Sequence, residues 1–240
     1  MAMTAPKIVP ARVLATGALL VVLALLCACA ARTINAQTAA IDTGGDAALR
    51  LPGAFSERTT LADLQAAYGP ANVVVVTDAS DGDGRRSVVL FPHDPARRAY
   101  VGFHDAVTLQ GVQSISVRDA GSRWRGKQGV QVGMSFADLR ARNGRPFYFS
   151  GFDDTRRAIV HDSWSPASDS EDYLLGKLDV GEGDHMYFGV ELGLRKDVSD
   201  VDAYPHGESV SSDDPRYPRL AELVEVTGIH VFTSLDDEWE

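Results

Sequence analysis

The 240-residue chain holds 33 acidic and 23 basic side chains, a net charge of −10, and two cysteines. Such acidity repels phosphate backbones, and no basic, aromatic-laced stripe interrupts it, so nucleic acid is not an expected partner. Both cysteines, Cys27 and Cys29, lie near the N-terminus. The remaining body has no thiol for a disulfide, a zinc-thiolate site or a cysteine nucleophile.

Lys7 and Arg12 precede an apolar, small-residue run from Val13 to Ala31, which Arg32 closes. A basic start, apolar middle and small-residue end read as an export signal. Leu26-Cys27-Ala28-Cys29 resembles a lipobox: an aliphatic residue, a tolerant position, a small residue and the acylated Cys. Residues 1–29 are therefore read as a lipoprotein-type signal ending at Cys29, the lipidation site. Cleavage at Ala28-Cys29-Ala30 and an uncleaved anchor of about 20 apolar residues remain alternatives. All three carry the body beyond the cytoplasmic membrane, into a periplasmic envelope compartment. Ala30 after the Cys, in place of an acidic residue, resembles lipoproteins released to an outer membrane and predicts attachment at its periplasmic face. Residues 30–48 are small and polar and read as a flexible tether.

Thr60 to Pro70 predicts a short helix with a Thr60–Asp63 capping box, Leu61 and Leu64 on one face, a left-handed cap at Gly69 and a stop at Pro70. Strands are expected over 72–77, 87–91, 99–103 and 112–118, the first two flanking an Asp/Gly turn at 78–84. A second helix is expected from Ser135, with Phe136 and Leu139 on its apolar face and Gly144 as its left-handed cap. Strands follow at 147–149, 158–162, 177–180, 185–194 and 223–232, with long loops at 163–174 and 196–218. Ala62, Asp63, Leu64, Ala66 and Gly69 recur 75 positions later at Ala137, Asp138, Leu139, Ala141 and Gly144. The expected fold is α+β: two related units, 49–126 and a longer 127–240, each a capped helix followed by an antiparallel β-meander.

The repeated Thr/Ser-x-x-Asp-Leu start and Gly stop, at Thr60, Asp63, Leu64, Tyr68 and Gly69 and then Ser135, Asp138, Leu139 and Gly144, resembles the β-lactamase-inhibitor-protein-like and SmpA/OmlA-like tandem repeats. That resemblance implies helices against a curved sheet and a role in binding other proteins. Gly133-Met134-Ser135, Leu139, Asn143-Gly144-Arg145-Pro146-Phe147 and Gly151-Phe152 resemble a family of uncharacterised bacterial secreted proteins and lipoproteins. This second resemblance spans most of the body and implies no activity.

Three His-Asp pairs, His93-Asp94, His104-Asp105 and His161-Asp162, have the chemistry of a general base or metal ligand. Neighbours on a strand point to opposite faces, however, and no nucleophile elbow or metal-binding helix accompanies them. The loops 81–84 and 197–202 offer closely spaced carboxylates without a complete calcium loop. Tyr148, Phe152 and Trp164 are candidate contacts for a protein partner, aided by Tyr173; Trp124 is expected to pack over the junction of the units. The acidic 236–240 segment reads as a solvated tail. The expected function is a non-catalytic envelope protein-binding or assembly module, held to the membrane by its lipid, with no catalytic residue, metal or cofactor assigned. A hydrolase or metal-dependent enzyme using His and Asp, and a small-ligand carrier, are the alternatives.

Overall fold

Two eight-residue helices of similar build sit at the start of the two halves. The computed structural model describes residues 49–53, 55–77, 85–160, 164, 176–179 and 186–235. Cys29 and the signal, the tether, the 81–84 turn, His161, Asp162, Tyr173 and the C-terminal tail lie outside the described residues. Helix α1 spans Leu61–Tyr68, and its Thr60–Asp63 capping box is complete. Helix α2 spans Phe136–Asn143, with the Ser135 side chain accepting from the Asp138 amide. Their C-caps differ. Gly144 is left-handed (φ 78°, ψ 2°), whereas Gly69 has φ 82° but an extended ψ of 137°. The cause is Pro70, whose ring drives the preceding residue out of helical ψ; Pro146 lies one position too far on to constrain Gly144.

The strands are β1 Val73–Thr77, β2 Arg86–Leu90, β3 Ala99–Asp105, β4 Gln110–Val117, β5 Tyr148–Phe149, β6 Arg157–Ile159, β7 Met186–Leu194, β8 Val210–Ser211 and β9 Val224–Thr233. Seven of them form one antiparallel sheet in the order β1-β2-β3-β4-β9-β7-β6. Both halves therefore enter one sheet, meeting at the β4–β9 seam. Its buried face is filled by alternate residues such as Val88, Val101, Ile115, Val117, Val190, Ile229 and Val231. Against them pack Leu64 of α1, Phe136 and Leu139 of α2, and Leu220 and Leu223 of the short helix α3, Leu220–Leu223. Burying side chains of this size contributes about 1.5–3 kcal/mol each.

The alternation breaks once in β4, between Val112 and Ile115, and once in β9, between Val226 and Ile229. The register shifts beside each break, at Gly102/Phe103 opposite β4 and at Glu191/Leu192 opposite β9. Each extra residue is a bulge that keeps the apolar phase on the buried side. The helix N-caps also meet their terminal strands alike: Thr60 bridges Gln110 and Ser135 bridges Glu225.

Three expectations are corrected. Residues 177–179 are not a strand: Lys177 and Leu178 form a turn whose amides serve Asn143, a fully buried residue at the end of α2. The 196–218 stretch is not simply loop, because it contains β8, which pairs with β5 in a separate two-stranded sheet. Trp124 does not cover the junction. It is fully buried in the first half, near Phe55 and Tyr68, and its indole donates to the Arg97 carbonyl at 2.7 Å.

Candidate functional site

The face of the sheet opposite the helices carries a different population of side chains. Cross-strand pairing places Val74, Val89, Tyr100, Ser116, His230 and Gly189 in one row across six strands. The neighbouring row runs Gly102, Ser114, Phe232 and Tyr187. Tyr100 is 42% exposed and Phe232 46%, with Val74 and Val76 close behind and Ile159 at 64%. The glycines matter to the shape: a Cβ on Gly102 would come within 2.7 Å of the Ser114 hydroxyl. Glycine is therefore required opposite Ser114.

Inside this face lies a polar network that the sequence reading missed. The Ser116 hydroxyl lies 2.9 Å from His230 Nδ1, and Glu191 Oε2 faces His230 Nε2 at 4.0 Å. Glu191 Oε1 pairs with Arg157 at 3.1 Å and accepts from the Thr227 hydroxyl at 3.1 Å. The carboxylate beside Nε2 favours the proton there, so Nδ1 accepts from Ser116. His230 is 9% exposed, and the Phe232 ring lies parallel to its imidazole, with centroids 6.0 Å apart. Burial pushes its pKa down to about 4, Arg118 and Arg157 push the same way, and Glu191 opposes them. At neutral pH the imidazole is uncharged.

Ser, His and Glu in contact invite comparison with a nucleophilic triad, but the geometry is wrong for one. The carboxylate stands 4.0 Å from the ring and is committed to Arg157 and Thr227, whereas an orienting hydrogen bond needs about 2.6–3.2 Å. Ser116 also sits in a central strand, paired on both sides, where the surrounding amides are engaged in ladders and cannot stabilise an oxyanion. The network can orient a neutral imidazole. It cannot activate the serine as a triad does.

The residues singled out from sequence lie elsewhere. Phe147 and Phe149 are fully buried and Tyr148 between them is half-buried, as alternation requires. Phe152 and Trp164 are core side chains, 2% and 1% exposed, and present no side-chain surface to a partner in this structure. Phe152 packs edge-on against Phe149 and Tyr204. Trp164 stacks near Phe188 and donates to its carbonyl at 2.8 Å. Both have inward polar or aromatic partners, which is why they turn in.

The described His-Asp pairs divide their labour. His93 is exposed, while Asp94 takes the Arg97 guanidinium at 2.6 Å, which holds its carboxyl below the usual range. His104 Nε2 meets the Thr233 hydroxyl at 3.0 Å, whereas Asp105 accepts from the Val107 and Thr108 amides of the following turn. In 197–202, Asp200 caps a 3₁₀ turn through the Asp202 amide, and all three aspartates are exposed. Among the described residues no three His, Cys, Asp or Glu side chains are grouped to hold a metal, and no helix is long and apolar enough to cross a membrane.

Ser116 and His230 had a signal in the sequence. Each is the single polar residue between two core positions, Ile115/Val117 and Ile229/Val231. Their meeting depends on the seam register, which the sequence does not display. Comparison with protein families, characterised proteins and solved structures returns no match for this chain.

Proposed function

We propose that the chain is an envelope lipoprotein, acylated at Cys29, that binds another envelope protein without catalysis through the face of its sheet opposite α1, α2 and α3. The observation that carries this reading is the band of exposed Val74, Val76, Tyr100, Phe232 and Ile159 on one face of a sheet whose other face is filled. Aromatic side chains with few rotatable bonds are efficient contacts, and an apolar band rimmed by charge is the usual composition of a docking surface. The two halves are further read as descendants of one duplicated helix-plus-meander unit. Support comes from the five repeated residues around each helix, the equivalent N-cap bridges and the bulge in each terminal strand.

The test is photo-crosslinking in intact cells, with a crosslinkable residue placed at Tyr100, at Phe232 or, for comparison, at exposed Ala66 of α1 or Ala141 of α2 on the opposite side. A discrete protein adduct from Tyr100 and Phe232, lost when the other is changed to Ala, supports the reading. Adducts absent at both positions, or equal at all four, refute it. Palmitate incorporation abolished by Cys29→Ser supports the anchor, and undiminished incorporation refutes it.

A further inference from the structure

At the β6 margin of the sheet, an open cleft of about 370 Å³ has a lining opposite in sign to the chain. Its walls include Thr155, Arg156, Arg157, Lys196 and Thr227, with Gly193 at the floor and no carboxylate among the lining residues. Three lining cations against the single neighbouring carboxylate of Glu191, which pairs with Arg157, are unexpected in a protein with ten more acidic than basic groups.

The cations are differently held. Arg156 has a left-handed backbone (φ 64°), and its Nη2 donates to the carbonyls of Arg195 at 3.1 Å and Val198 at 2.8 Å. Those contacts fix the guanidinium without neutralising it and leave Nε and Nη1 donors. Asp153 secures the turn by accepting from the Thr155 and Arg157 amides at 2.9 and 3.0 Å. Arg157 is paired with Glu191, yet its side chain is 52% exposed and retains donors toward solvent. Lys196 has no ion-pair partner among the described residues. A side chain on Gly193 would overlap the Thr227 methyl, so glycine keeps the floor low.

We propose that this cleft binds a phosphomonoester dianion, with Lys196 and the pre-oriented Arg156 fork contributing charge and Arg157 its solvent-facing donors. Planar guanidinium groups match the oxygen spacing of phosphate, and a fixed one loses little freedom on binding. The volume suits a small phosphorylated group rather than a polymer. The same chemistry serves a soluble phosphomonoester and a phosphatidate headgroup. It does not depend on the docking reading.

The probe is inorganic phosphate, titrated into the full chain in neutral detergent at constant ionic strength and followed by ³¹P linewidth and thermal midpoint. Saturable binding is expected, weakened about tenfold by Lys196→Gln and by Arg157→Gln, since each removes one charge-assisted contact. Arg58→Gln, at a distant exposed cation, is expected to leave it unchanged. A response no larger than chloride gives, or equal affinity in the wild type and both cleft variants with circular dichroism intact, overturns the proposal. Repeating the titration in phosphatidylcholine vesicles with and without phosphatidic acid separates the sources. Competition by phosphatidic acid supports the headgroup, and undiminished phosphate binding supports the soluble ester.

Discussion

His230 makes the stability of this fold depend on pH in a range where an exposed histidine would do little. Its pKa falls from 6.5 to about 4 because the ring is buried and faces Arg118 and Arg157, with Glu191 only partly offsetting them. The unfolded chain therefore binds a proton between pH 6.5 and 4 that the folded chain refuses. In that window stability rises with pH: it is complete above 6.5 and declines as the medium is acidified toward 4. A shift of this size corresponds to about 3 kcal/mol, and the 11% exposure of the side chain leaves little solvent screening to discount. The assay is guanidinium unfolding of the full chain in detergent at pH 7.5 and 4.5, beside His230→Gln. The wild type is expected to lose about 2–3 kcal/mol more than the variant across that interval. The comparison with the variant removes the common contribution of exposed carboxylates with lowered pKa values, such as Asp63, Asp105 and Asp153. Parallel pH curves for the two proteins, or a His230 ring resonance titrating near 6.5, would refute the reasoning.

Two further outcomes concern the framework. Asn143→Ala removes donors to the Trp164 carbonyl at 2.9 Å and the Arg145 carbonyl at 3.0 Å, and the acceptor for the Leu178 amide at 3.3 Å. Stranding these groups inside the protein is expected to cost about 3–5 kcal/mol, and a loss below about 1 kcal/mol in chemical unfolding would contradict it. Thr60→Ala deletes the α1 cap, with an expected loss of about 1 kcal/mol, while Thr60→Ser should be nearly neutral; equal losses in both would show that the hydroxyl is not the cause.

How much of this was legible depended on the distance over which each interaction acts. Helices α1 and α2 were visible because their caps and apolar pairs lie within eleven residues, and the Ser/Thr-to-Asp bonds form as expected. The strands were visible through alternation, though most ends moved by one or two residues. Val112-x-x-Ile115 and Val226-x-x-Ile229 even contained the bulges, as three-residue spacings within period-two segments. Trp164 and Phe152 were another matter. An aromatic residue beside glycines and polar groups reads the same whether it turns inward or outward. What decided Trp164 was the Phe188 carbonyl, 24 residues away, which satisfies its indole inside the core.

The open-face network shows why the site was the least legible part. Ser116 and His230 are 114 residues apart, and only the β4–β9 seam brings them together. The apolar pattern is enough to select that seam. Ile115 opposite Val231 and Val117 opposite Ile229 must face the helices, and a slip of one residue would turn each strand over. The apolar phase thus fixes the register, and the register hands Ser116 to His230 on the reverse side. A polar cluster placed in this way can be altered without unmaking the fold. The face opposite the helices is thus less constrained than the buried one, where each side chain is held by packing.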